Sequence, residues 1–173
     1  MSVLEVVNYG DPILRKKCQP VSDFSKLPVF IEDMFDTMYE EEGIGLAANQ
    51  VGVDMNMFII DIAHTNENEF PRIFINGTII KVDGECAFSE GCLSIPDQYA
   101  EIERPESCVV EYLNYDGKQS TLKADGILST CLQHEIDHLN GVLFIDYLSK
   151  MKRNMMIKKV TKSSKSKKDR VIA

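Results

Sequence analysis

The sequence predicts an α+β fold: mixed or antiparallel sheets packed around one apolar helix, with a basic helix at the C-terminal end. Three observations predict it. Strand-like runs and helical periodicities occur without strict alternation. An Asp116-Gly117 pair joins two β-rich runs, a strong hairpin signal. The most apolar helical segment carries two of the chain's three histidines. The chain has 173 residues, 44% of them hydrophobic and 27% charged, which suits a single globular domain.

In chain order, the first element is a helix over Ser25–Glu42. Phe30, Ile31, Met34, Phe35 and Met38 share one face, Pro28 is tolerated near the start, and Gly43 is the expected stop. Strands follow at 57–63 (MFIIDIA) and 72–82 (RIFINGTIIKV). The runs VVEYLNY and KQSTLKA form the hairpin about Asp116-Gly117. Segment 125–141, DGILSTCLQHEIDHLNG, reads as a core helix capped by Asp125 and ended by Asn140-Gly141. Its apolar residues Ile127, Leu128, Cys131, Leu132, Ile136 and Leu139 make a broad buried surface. A final amphipathic helix is expected from Asp146 to about Lys162, fraying into a basic tail. The division is a body at 1–150 and a basic helix or tail at 151–173.

Charge separates those two parts. Residues 1–149 hold 9 Lys and Arg against 26 Asp and Glu, a formal −17, whereas residues 150–173 hold 10 against 1, a formal +9. The apolar runs are too short to span a bilayer, and the opening residues lack the apolar stretch of a secretory signal. The expectation is a cytoplasmic protein, with no membrane or DNA partner. Five cysteines at irregular spacing read as reduced thiols or metal ligands rather than a disulfide framework.

The chemistry concentrates in HEIDH. His134 and His138, four apart on a helix, project from one face and suit a single metal ion. Glu135 beside them suits a general base acting on a water at that ion. Two unpaired imidazoles in an apolar helix would be costly without such a partner. A catalytic site needs a third ligand. In the metzincin pattern it would fall at Phe144, which cannot bind metal, and no Glu follows Glu135 to serve as in thermolysin-like enzymes. The ligand must therefore come from upstream: His64, a carboxylate or a cysteine. Cys131 sits one turn before His134, yet about 10 Å of helix rise separates it from His138, too far for one ion. It reads as core packing beside the site. Cys92 follows Gly91, which permits unusual backbone geometry, and leads Cys18, Cys86 and Cys108 only modestly. The residues alone leave the choice open.

Three segments, GIGLAANQVG (43–52), EGCLS (90–94) and QHEIDHLNG (133–141), taken in that order resemble the three signature motifs of the peptide deformylases, with similarity over about the first 150 residues. The resemblance implies that Cys92, His134 and His138 bind one divalent ion, water completing the set. It makes 1–150 a catalytic domain that removes the N-formyl group from the initiating methionine of new polypeptides and releases formate. Glu135 would move the proton. The Gln50 side-chain amide and the Leu93 backbone N–H would meet the developing oxyanion. Ile44, Phe88, Ile127 and Cys131 would line a methionine pocket, with Gly45 and Gly91 admitting the peptide backbone and main-chain pairing around Ile44 and Gly91. Fe(2+) is the metal implied in the cell; Zn(2+), Ni(2+) and Co(2+) suit the same donors. The family's work on nascent chains suggests that the basic tail docks on ribosomal RNA, the plainer reading being a solvated chain end. Two rivals are a zinc endopeptidase of unusual layout and a ribosome-associated binding protein with a vestigial metal site.

Overall fold

The structure, a computed structural model, describes residues 2–172, with side chains through Lys162. Its helices are α1 (Leu27–Glu40), α2 (Gly126–Leu139) and α3 (Lys150–Ile172). Its strands are β1 (Gly45–Ala47), β2 (Met57–Ile60), β3 (Arg72–Asp83), β4 (Cys86–Cys92), β5 (Ile95–Arg104), β6 (Ser107–Leu113) and β7 (Gln119–Asp125). Short 3₁₀ turns occupy Pro12–Arg15, Ala48–Val51 and Phe144–Tyr147. The strands make a five-stranded sheet in the order β1-β2-β3-β6-β7 and a separate β4-β5 hairpin. Every pairing among the described residues is antiparallel.

The large sheet is covered on both faces. Phe58 and Ile60 of β2 pack toward α2 with Phe74, Leu132 and Ile136, while Met57 and Ile59 pack toward α1 with Ile31, Met34 and Met38. Successive residues of a strand point to opposite faces. A strand sandwiched between two helices therefore reads as the unbroken run MFII instead of an alternation. A third cluster joins Ile95 and Ile102 of β5 to Phe144 and to Val160 of α3. Phe144, the residue that cannot ligate, is a core residue there, 1% exposed.

Several expectations change in detail. α1 ends in a turn whose left-handed residue is Glu42 (φ 57°), not Gly43, with Gly43 N–H donating to Met38 O. Asp125 precedes α2, but its side chain caps nothing. The chain turns from β7 into the helix at Gly126, with φ 58°. The last helix starts at Lys150, because Asp146 belongs to a 3₁₀ turn where Arg15 grips it at 2.6 and 3.0 Å. Its backbone stays helical to Ile172; the side chains of the expected frayed tail beyond Lys162 lie outside the described residues. The β4-β5 hairpin and β1 were not expected as strands. No helix among the described residues is long and apolar enough to cross a membrane.

The end of α2 fits its expected stop. Gly141 N–H donates to His138 O and Val142 N–H to Asp137 O, the paired bonds of a Schellman ending, with Gly141 at φ 77°. A Cβ there would also stand 2.4 Å from the backbone oxygen of Arg15. Gly141→Ala therefore adds backbone strain to a backbone clash. Its expected cost is about 2–4 kcal/mol in urea unfolding, well above a surface glycine change.

Candidate metal centre and substrate cavity

Helix α2 and hairpin β4-β5 together build the site. His134 and His138 lie on adjacent turns of α2, their Nε2 atoms 3.2 Å apart. Cys92 ends β4, and its Sγ lies 3.3 Å from His138 Nε2. All three donor atoms fall within 4.8 Å of one another. A tetrahedral ion with bonds of about 2.0–2.1 Å to nitrogen and 2.3 Å to sulfur holds its ligands roughly 3.3–3.6 Å apart. The donor set therefore fits one ion. Among the candidates that the sequence left open, His64 is exposed in a loop, while Cys18 and Cys108 are buried outside this group.

Gly91 does not supply unusual backbone geometry, being an ordinary strand residue without a positive φ. What it supplies is space: a Cβ would stand 2.6 Å from the Tyr99 ring. Gly45 serves another close approach. A Cβ there would lie 2.6 Å from Glu135 Oε1, so β1 can run directly over the carboxylate. Glu135 is 4% exposed and its Oε2 has no partner among the described groups. Burial pushes its carboxyl up to about 7, with neighbouring Glu90 pushing the same way and His134 opposing. A buried carboxylate with an uncommitted oxygen, beside convergent ligands, is a reactive arrangement.

Gln50 is buried in the 3₁₀ turn after β1. Its Oε1 accepts from Ala47 N–H at 3.0 Å, and its Nε2 faces Cys92 Sγ at 3.4 Å and Ser94 Oγ at 3.2 Å. Leu93 lies in the two-residue link between β4 and β5. A cavity of about 810 Å³ opens over these groups. It is lined by Ile44, Gly45, Gln50, Phe88, Gly91, Cys92, Leu93, Ile127, Cys131, His134 and Glu135. His138 sits behind this wall, 1% exposed. Cys131 has no place in the ligand group, and burial pushes its thiol up to about 12. The carbonyl of Ile44 is already taken by Asp61 N–H, and Gly91 is paired with Tyr99 across the hairpin.

Behind His134 lies a network that nothing in the sequence motifs announces. His134 Nδ1 bonds Glu90 Oε1 at 2.9 Å, leaving Nε2 to face His138 and Cys92. Arg104 grips Glu90 at 2.6 and 2.9 Å and reaches Asp137 at 2.8 Å, and Tyr147 O–H donates to the same Asp137 oxygen. Burial alone would raise the Glu90 carboxyl; hydrogen bonds from His134 and Arg104 outweigh it and hold it below the usual range. Such outer partners fix a ligand's tautomer and ring orientation. Glu90 had a weak signal, lying two residues before Cys92. Arg104 had none: it pairs with Cys86 in the hairpin and reaches Glu90 only by its long side chain running along the strands.

An α+β fold whose core helix bears HExxH, with a cysteine carried to it by a hairpin, defines a small hydrolase with a site able to hold one metal ion. The polypeptide deformylase family model matches residues 3–154, and the chain belongs to that family. Its activity is hydrolysis of the N-formyl group from the N-terminal methionine of new polypeptides. The chain is 54% identical over 164 residues to a peptide deformylase of Brucella suis, covering 94% of each chain. It is 50% identical to that of Agrobacterium fabrum, covering 96% of this chain and 99% of the relative. Among solved structures, the Legionella pneumophila peptide deformylase superposes with a TM-score of 0.90 at 40% identity, covering 96% and 98%. The Ehrlichia chaffeensis enzyme in complex with actinonin gives 0.89 at 40%, covering 94% and 98%.

Arg104→Met leaves Glu90 charged and buried with only the His134 hydrogen bond to hold it. It is expected to cost about 3–5 kcal/mol in urea unfolding, much of it recovered when Glu90→Leu is added.

Proposed function

We propose that Cys92, His134 and His138 hold one divalent ion and that Glu135 moves the proton during deformylation. The convergence of one sulfur and two imidazole nitrogens within 4.8 Å, beside an unpartnered buried carboxylate oxygen, carries this reading. A divalent cation held there supplies Lewis acidity to the formyl carbonyl and to the attacking water. Glu135 takes the proton of that water and delivers it to the departing peptide amine. Gln50 Nε2 and the Leu93 backbone N–H donate to the formyl oxygen as its negative charge grows. The sulfur of Cys92 is committed as a ligand, so it is no nucleophile. In the cell the ion is Fe(2+), and Zn(2+), Ni(2+) and Co(2+) suit the same soft and borderline donors.

The methionine side chain enters the cavity between Ile44, Phe88, Ile127 and Cys131, with the peptide passing along Gly45 and Gly91. Residues 1–150 carry the catalysis, in the cytoplasm where nascent chains appear. Formate release from formyl-Met-Ala-Ser tests the assignment, with the unformylated peptide alongside and iron and zinc loadings compared without oxygen. Glu135→Ala is expected to lower kcat/KM by about 10²–10⁴-fold while leaving one metal per chain. Full activity in that variant, or metal-replete protein with no bound ion, refutes the reading.

Residues 151–173 add a basic surface that docks on ribosomal RNA through phosphate contacts. Val160 is buried against β5, so cutting at Lys150 would damage the core. The informative change keeps that anchor: truncation after Lys162 combined with Lys158→Glu and Lys159→Glu, both exposed. Ribosome co-sedimentation is expected to weaken and its salt dependence to flatten. Unchanged binding removes the idea.

A further inference from the structure

Tyr147 holds Arg104 in two ways from the surface of the protein. Its hydroxyl donates to Asp137 Oδ2 at 2.7 Å, the same oxygen that accepts from Arg104 Nη1 at 2.8 Å. Its ring lies against the guanidinium, with Arg104 Cζ 4.8 Å from the ring centroid. Sharing recurs at the inner end, where Glu90 Oε1 bonds both Arg104 Nη2 and His134 Nδ1 at 2.9 Å. Bonds to carboxylates fix the edges of a guanidinium in its own plane; a ring on its face checks its tilt. Anchoring the 3₁₀ turn Phe144–Tyr147 does not need this arrangement, since Phe144 and Ile145 are each 1% exposed in the core. That turn lines no part of the cavity and supplies none of the three donor atoms. Tyr147 itself is 51% exposed, so its hydroxyl could have been satisfied by solvent. It is spent instead on the carboxylate beside Arg104.

We propose that Tyr147 is a positioning residue for the metal ligand His134, acting through Arg104 and Glu90. Without the ring the guanidinium tilts, the shared Glu90 oxygen moves with it, and the His134 ring loses its alignment with His138 and Cys92. This role rests on the reading of Cys92, His134 and His138 as ligands and extends their support to a residue at the surface.

The test titrates metal-depleted protein with Zn(2+) and Co(2+) against a competing chelator and records the visible bands of bound cobalt. Tyr147→Leu removes ring and hydroxyl together. It is expected to weaken both metals by roughly three- to tenfold and to shift the cobalt bands, a smaller loss than the roughly 10- to 100-fold usual for a direct partner of a ligand. Tyr147→Phe keeps the ring and loses roughly two- to threefold, the size of one weak hydrogen bond. In a Glu90→Gln background Tyr147→Leu causes no further loss, because the route to His134 is already cut. A merely structural role would lower the melting temperature and leave affinity and bands unmoved. Wild-type affinity and bands in Tyr147→Leu overturn the proposal, as does an undiminished loss in the Glu90→Gln background. If the leucine variant does not fold, Tyr147→Phe decides by the same two measurements. Cobalt binding that survives His134→Ala removes the ligand assignment itself, and the proposal falls with it.

Discussion

The guanidinium of Arg104 ties together the two elements on which the site depends. It leaves the end of β5, grips Glu90 on β4 with two nitrogens and Asp137 on α2 with the third. Through Glu90 it also reaches His134. The hairpin contributes the sulfur and the helix contributes the imidazoles, and this fork is their charged connection. Burying such a cluster gives back little net stability, because desolvation offsets much of the attraction. Its value is directional, since a planar fork accepts its carboxylates in few geometries. Donor atoms that must stand about 3.3–3.6 Å apart need that restriction.

Backbone economy serves the same end from the opposite side. Glycine at position 45 lets the edge of the large sheet pass directly over Glu135. Glu135, which lines the cavity, keeps one carboxylate oxygen unpartnered among the described groups. Any larger residue there would displace the Glu135 carboxylate or lift the strand. The sheet is thus a wall of the cavity as well as a scaffold.

Much of this was legible in the sequence, and the gaps have physical causes. HEIDH announced that His134 and His138 share one helix face with Glu135 beside them, because helical spacing is local. Cys92 was one candidate among several on pattern alone, and only its place in the ordered motifs singled it out. The β4-β5 hairpin escaped notice because most of its residues are exposed or half-exposed, and its strongest polar positions, Glu90 and Arg104, are buried against the usual rule. Asp125 looked like a helix cap, but Gly126 makes the turn instead. Glu42 adopts the left-handed turn that Gly43 was expected to supply, showing that position can override residue preference.

The N-terminal segment fastens onto the far end of α2. Cys18 N–H donates to Leu139 O, and Arg15 holds both Gly141 O and Asp146. These contacts join residues up to 131 positions apart. During synthesis the first stretch of chain must wait for almost the whole molecule to emerge before its strap can close. Contacts of such span are slow to form and favour the finished chain over any shorter fragment. In a protein that trims the beginnings of other nascent chains, residues 2–9 attach to segments already made, while the strap at Arg15 and Cys18 closes only once residues 139–146 have emerged.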